Sequence, residues 1–451
     1  MRPIYDMLRE RRGDLRLHMP GHGGIPPFGE EEMYAMDTTE TEDTDDLYHP
    51  RSGILAAEKA YALSAGAACT LMLHNGSTQG IHAMLQMWTV PGDTVILPRN
   101  AHLSAASAAV LGGLRVVWIP VRRADGYVRI AEEDVIRCIR DCPEARVLLI
   151  TRPDYFGMCL PLERIREETA KRGIRLAVDE AHGAHLPWDD EIPGAHRSGA
   201  DAWTQSCHKT LPALTGSAVL NLRQEEDRAG AMRVLRREMT SSPSFLLLLS
   251  VDDAREWMDR YGRDSIEKRK RILRGLEERI REMGYRDPRD AWARETGQTV
   301  DRTRLVLRHP RGGFALHAHL RSRGIQAEMA DREQVCLLTS VFFGEREAGR
   351  LEDALRDMPA GPVPEEEDLP LPEMPGGAMN LREAAMGPVD MVPLSSAEGR
   401  VCAACVGVYP PGIPLAVPGE YLESSLLEYL KRTPVERRFG MEGERIPCVG
   451  M

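Results

Sequence analysis

Residues 175–182 read Arg175-Leu176-Ala177-Val178-Asp179-Glu180-Ala181-His182, and thirty positions after Asp179 stands Lys209, closing the run Ser206-Cys207-His208-Lys209. The apolar run Leu176 to Val178 reads as a short buried strand that ends on a carboxylate. Open α/β sheets present their ligand groups at the carboxyl ends of strands, and a carboxylate there keeps a pyridine nitrogen protonated. A lysine acts on carbonyls only as its neutral amine, a form favoured in a semi-buried site near other positive charge. Taken alone, a His-Lys pair is surface decoration; the company of Asp179 makes Lys209 a candidate catalyst.

Working outward, the strands Thr94–Leu97, Arg115–Pro120, Arg146–Ile150, Arg175–Val178 and Ser217–Leu222 alternate with helical segments from about residue 60 to 240. That alternation predicts an α/β fold around a buried, mostly parallel sheet. The lysine segment is expected between a helix and the strand Ser217–Leu222. A second region, 241–358, opens with a charged helical stretch through Met283, gives strands near Arg304–Leu307 and Val335–Phe343, and ends in a helix at Glu345–Met358, which predicts a smaller α/β domain. Residues 359–379 hold six prolines and the acidic run Glu365 to Asp368, so they read as a linker. The division expected is an N-terminal segment 1–59, a large domain 60–240, a small domain 241–358, the linker, and a C-terminal module 380–451.

The bulk figures exclude several classes. At 451 residues, 42% hydrophobic and 28% charged, the chain reads as globular, with no internal repeat. A formal charge of −11 argues against a nucleic-acid surface and is compatible with a small cationic substrate. The first 24 residues carry charge throughout, and the longest aliphatic run, Phe245 to Val251, is far short of the roughly 20 residues that span a bilayer. Nine cysteines without framework spacing fit reduced thiols and a cytoplasmic location; Cys402 and Cys405 match C-x-x-C but sit in an apolar stretch, where buried small side chains are the expected role.

Gly76-Ser77-Thr78 precedes Ile81, Met84, Leu85 and Trp88, whose spacing predicts a helix with Ser77 as its N-cap. Small residues and two hydroxyls at a helix N-terminus make a candidate phosphate site, to which Ser206 and His208 add donors. Arg99-Asn100-Ala101-His102 follows another strand, placing His102 where an imidazole would stack on a cofactor ring. Asp179 to His182 also spells a helicase box, but no G-x-x-x-x-G-K-[ST] loop accompanies it. Asp179, His182 and His185, or His317 and His319, lack H-E-x-x-H spacing and a third ligand, so no metal site is expected.

These blocks, in this order, resemble the Orn/Lys/Arg decarboxylase family of fold-type I pyridoxal-phosphate enzymes, in its compact form without a wing domain. The resemblance also rests on Met19 to Gly24, Met36 to Glu40, Asp45 to Pro50, Pro153 to Gly157, Thr240 to Ser244, and Tyr409 to Pro414 with Pro418-Gly419-Glu420. It implies an aspartate-aminotransferase-like large domain, pyridoxal 5′-phosphate held as a Schiff base on Lys209, Asp179 at the ring nitrogen, His102 stacked on the ring, and Ser77, Thr78, Ser206 and His208 at the phosphate. It further implies decarboxylation of arginine, lysine or ornithine, with Lys209 or His208 returning a proton to Cα, in a homodimer or an assembly of dimers. His182 is assigned to the ring hydroxyl or to the substrate carboxylate, and Glu420 is one candidate for the substrate side chain. Gly23, Leu103, Asp154 and Ala404 depart from the family pattern, which bears on the substrate and leaves another reaction of the same carbanion, transamination or elimination, as the alternative; a noncatalytic scaffold of the same fold is a further one.

Overall fold

A computed structural model describes residues 1–10, 31–41, 43–124, 127–359, 361, 372, 375–409 and 413–450. The Met19 to Gly24 block, the acidic run of the linker and Pro410 to Gly412 lie outside the described residues. The centre is a seven-stranded sheet in the order Cys69–Leu73, Ala218–Leu222, Ala202–Gln205, Arg175–Asp179, Val147–Thr151, Thr94–Pro98, Arg115–Ile119. Ala218–Leu222 runs antiparallel to both of its neighbours, and the other pairings are parallel. Strands buried on both faces read as continuous apolar runs, and every residue of Cys69–Leu73, Thr94–Pro98 and Ala218–Leu222 is buried.

Two of these strands go beyond the sequence expectation. Cys69–Leu73 and Ala202–Gln205 are short, and the second carries Thr204 and Gln205, whose polarity hides it. The lysine segment therefore lies between two strands, rather than after a helix. Val335–Phe343 also shortens to a strand at Gln334–Leu338, followed by a turn.

Because the parallel strands share a direction, their carboxyl ends gather at one edge. There stand His74 to Ser77, Arg99 to His102, Arg152 to Tyr155, Asp179 to His182 and Ser206 to Lys209. Ser217, at the start of the antiparallel strand, joins them. The helix Gly76–Gln86 lies close against this sheet at Gly80, where a Cβ would fall 2.1 Å from Thr204 Oγ1.

The 38-residue helix Phe245–Glu282 spans two cores. Phe245, Leu248, Val251, Met258 and Ile266 pack in the core of the large sheet. Ile272, Leu273, Leu276 and Ile280 pack in the second, with Leu305, Leu307, Val335 and Leu337 of the antiparallel sheet Arg304–Arg308, Gln334–Leu338, Met329–Ala330. A third core, with Leu394, Val406, Leu426, Leu430 and Ile446, belongs to the C-terminal module. Arg99, at the end of Thr94–Pro98, donates to the carbonyls of Pro414 and Leu415 and to Glu420, joining that core's segment to the central sheet.

Candidate functional site

Lys209 sits in a four-residue helix, Cys207–Thr210, directly after the strand Ala202–Gln205. The loop is held from beneath: the Cys207 amide donates to the Ser217 carbonyl, and buried Tyr61 donates to Gln205 Oε1 with the Cys207 sulfur 3.7 Å from its hydroxyl. The half-buried Lys209 places Nζ 3.1 Å from His182 Nε2. Burial lowers the lysine's pKa; Asp179 and then Glu328 oppose this, and Arg304 reinforces it. His182 is driven well below the ordinary histidine value by burial, Lys209 and Arg304. Both partners of the 3.1 Å contact are thus biased toward neutrality, the state in which an amine can attack a carbonyl.

Asp179 ends its strand almost fully buried, its Oδ1 accepting from the Ala181 amide. Burial raises its pKa, while Lys209 and His102 pull it down. His102 is the N-cap of the helix Leu103–Gly112, its Nδ1 beside the amide and hydroxyl of Ser104. The residue is exposed, yet the protein around the ring lowers its pKa by desolvation, against the pull of Asp179.

Ser77 and Ser206, separated by 129 positions, meet at 2.8 Å between hydroxyls. The helix begins at Gly76 with Asn75 as its N-cap, so Ser77 lies in the first turn and is not the cap expected from the sequence. Gly76 adopts φ +66° and donates its amide to the Gly216 carbonyl, which commits that donor within the protein. A Cβ on Gly76 would meet nothing within 4 Å, so the space beside it is open. Thr78 is half-buried in the same turn. His208 donates from Nδ1 to the Ser217 carbonyl at 3.0 Å.

Several residues the sequence reading missed close the site. Tyr155, on the turn after Val147–Thr151, sets its ring edge-on to His182 at 5.2 Å and donates its hydroxyl to Glu328 at 2.7 Å. Arg304, from the second sheet, donates to the carbonyls of both His182 and Tyr155 and pairs with buried Asp301 at 2.9 Å. His185 and Thr303 complete the shell around Asp301. Only Tyr155 carried a local signal, in the block Pro153 to Gly157; Arg304 lies in the three-stranded antiparallel sheet and Glu328 directly precedes its strand Met329–Ala330.

Two other expectations are redirected. Glu420 is held through Oε2 by Arg99 at 2.9 Å and by the Val417 amide at 2.8 Å, contacts that join its loop to the strand end at Arg99. Asp154 accepts from the amides of Phe156 and Met158 and from Tyr127, a role in the turn. Cys402 and Cys405 are thiols whose pKa values burial pushes up, to about 12 and about 11, the opposite of redox activation.

The residues present fit pyridoxal phosphate. A buried carboxylate to which no cation is bonded among the described residues suits a protonated ring nitrogen, a lysine biased toward its neutral amine suits an aldehyde, and two converging hydroxyls at a helix N-terminus suit a phosphate.

Residues 3–287 match the family described as Orn/Lys/Arg decarboxylase, major domain, and residues 369–439 match its C-terminal domain. The arginine decarboxylase of Bacillus subtilis (strain 168) is 31% identical, over 95% of this chain and 92% of its own length. That of Halalkalibacterium halodurans is 30% identical, over 93% and 90%. Among solved structures, the lysine decarboxylase of Francisella novicida superposes with a TM-score of 0.83 at 16% identity, covering all of this chain and 81% of the other, a likeness of fold.

Proposed function

The chain belongs to the Orn/Lys/Arg decarboxylase family, and on that premise we propose that it uses pyridoxal 5′-phosphate to remove the α-carboxylate of a basic amino acid as carbon dioxide, releasing the amine. Arginine is the first candidate, because relatives near 30% identity over nearly the whole chain carry the name arginine decarboxylase. The observation that carries the reading is buried Asp179 and half-buried Lys209 at one sheet edge, Asp179 with no cation bonded to it among the described residues and Lys209 with its Nζ 3.1 Å from His182 Nε2.

When bound, the cofactor supplies a conjugated electron sink for the pair left at Cα as carbon dioxide departs. Lys209 would hold it at the aldehyde carbon, Asp179 would keep its ring nitrogen protonated, and His102 would cover one ring face. Ser77, Thr78, Ser206 and His208 would hold the phosphate, with the open space at Gly76 admitting it. His182, its Nε2 3.1 Å from Lys209 Nζ, would exchange a proton with that amine. Lys209 or His208 would return a proton to Cα, completing the exchange of carboxylate for hydrogen. Arg304 fixes the loops of His182 and Tyr155 from one guanidinium.

A homodimer or an assembly of dimers, in the cytoplasm, completes the reading. Its support is the family resemblance and nine free thiols. The test is release of amine and carbon dioxide from arginine, lysine and ornithine by the pyridoxal-phosphate-loaded protein. Release from one of them, lost in Lys209→Ala, is the expected result. Cofactor binding with no carbon dioxide from any of the three would overturn the decarboxylase reading.

A further inference from the structure

A basic amino acid presents two features a site must read at once, an α-amino group near Lys209 and a cation at the far end of its side chain. The carboxylates around the cleft differ sharply in whether they are free to take that cation. Asp301 is buried and committed to Arg304, His185 and Thr303. Asp154 is committed to Tyr127 and to two backbone amides. Glu420 belongs to Arg99. Asp179 lies buried at the end of its strand.

Glu328 is different. It precedes the strand Met329–Ala330 of the second domain, its amide fixed to the Cys336 carbonyl at 3.1 Å. Its carboxylate is exposed, and among the described residues its bonded side-chain partner is the neutral hydroxyl of Tyr155 at 2.7 Å. Three contacts lead from it to the reacting amine: Tyr155 hydroxyl to Glu328, the Tyr155 ring to the His182 ring at 5.2 Å, and His182 to Lys209 Nζ at 3.1 Å. Its charge also reaches Lys209, whose protonated form it favours.

We propose that Glu328 is the specificity-determining carboxylate that receives the side-chain cation of the substrate, with Tyr155 as the positioning residue that holds it. The proposal rests on the basic-amino-acid reading above and adds to it the group that reads the substrate's far end. A carboxylate supported by one hydroxyl keeps acceptor capacity for a guanidinium or ammonium, and a charge-assisted bond there separates a cationic from a neutral side chain. Because Glu328 comes from the second domain and Lys209 from the first, a substrate joining them would also bridge the two domains.

The test is calorimetric titration of the pyridoxal-phosphate-loaded protein with agmatine, which keeps the guanidinium of arginine and lacks its carboxylate. Glu328→Gln preserves shape and an acceptor for Tyr155, and is expected to weaken agmatine by on the order of tenfold to a hundredfold. In the same variant the preference in kcat/KM for arginine over citrulline, its neutral isostere, should collapse while cofactor loading is unchanged. Glu328→Asp should recover part of the binding, and Tyr155→Phe should lose less than Glu328→Gln. Unchanged agmatine affinity in Glu328→Gln, or no binding of agmatine, cadaverine or putrescine by the wild type, would overturn the proposal. The two readings fail separately: carbon dioxide release with Glu328 irrelevant sinks this one alone, whereas Glu328-dependent amine binding without carbon dioxide release sinks only the reaction.

Discussion

Asp179 and Glu420 are carboxylates of nearly equal exposure, 3% and 5%, set in different surroundings. Glu420 lies in the seam between the large domain and the C-terminal module, where Arg99 meets it at 2.9 Å and the Val417 amide at 2.8 Å. Asp179 lies at the cleft, where it accepts from the Ala181 amide and, among the described residues, no cation is bonded to it. Burial pushes both carboxyls up, and only the seam answers with an arginine of its own. A buried charge matched from within the chain is architecture, while one left without a bonded cation points to a ligand that brings its own.

The largest expected effect breaks the comparison at the cleft. Asp179→Asn keeps the shape and removes the charge, and is expected to lower kcat/KM of the loaded enzyme by on the order of a thousandfold, the scale of a positioned electrostatic contact. In urea melts of the cofactor-free protein the same variant should lose no stability, because it removes a charge that burial disfavours. Destabilisation of the cofactor-free protein, with activity retained, would show Asp179 to be architectural like its counterpart.

At the seam the expected signs are reversed. Glu420→Gln leaves the buried Arg99 guanidinium without its anion and should cost about 3 kcal/mol of stability, with or without cofactor, as breaking one side of a buried pair does. Measured below its lowered melting temperature, the variant should keep the parent kcat/KM. A selective loss of substrate affinity instead would restore Glu420 as a substrate contact.

A smaller change sharpens the cleft further. Ser206→Ala removes one of the hydroxyls that meet at 2.8 Å. It should weaken pyridoxal phosphate by roughly tenfold in equilibrium dialysis, the worth of a hydrogen bond to a charged group. The control is Ser242→Ala, on the exposed turn before the long helix, which should leave affinity unchanged. An equal loss in both variants would detach the hydroxyl pair from the phosphate.

The contrast between cleft and seam also marks how far the sequence could be read. Lys209, Asp179, His102, Ser77 and Ser206 were legible because each ends a strand or opens a helix, and period and punctuation locate such ends. The strands Cys69–Leu73 and Ala202–Gln205 were not, because five and four residues carry too little periodicity and Thr204 and Gln205 break the apolar run. Arg304 and Glu328 were beyond local reading, since only the packing of the second domain brings them to residues more than 120 positions away. Glu420 stood in a recognisable block, but its partner Arg99 lies 321 positions upstream, so nothing local showed that its charge was already matched.

The smallest effects are electrostatic and test whether the cleft acts as one unit. In the cofactor-free protein, the pH dependence of Lys209 modification by trinitrobenzenesulfonate, read by mass spectrometry, follows the fraction of neutral amine. Burial and Arg304 push the midpoint below the ordinary lysine value, while Asp179 and, less strongly, Glu328 push it back up. Removing an anion removes an upward push, so Asp179→Asn should move the midpoint to lower pH, and Glu328→Gln should move it the same way by less. Arg304→Met removes a downward push and should move it to higher pH. Glu420→Gln, at the seam, should leave it in place; an equal shift there would mean that the variants act through loosened packing, and the distinction between a matched and an unmatched buried carboxylate would lose its local basis.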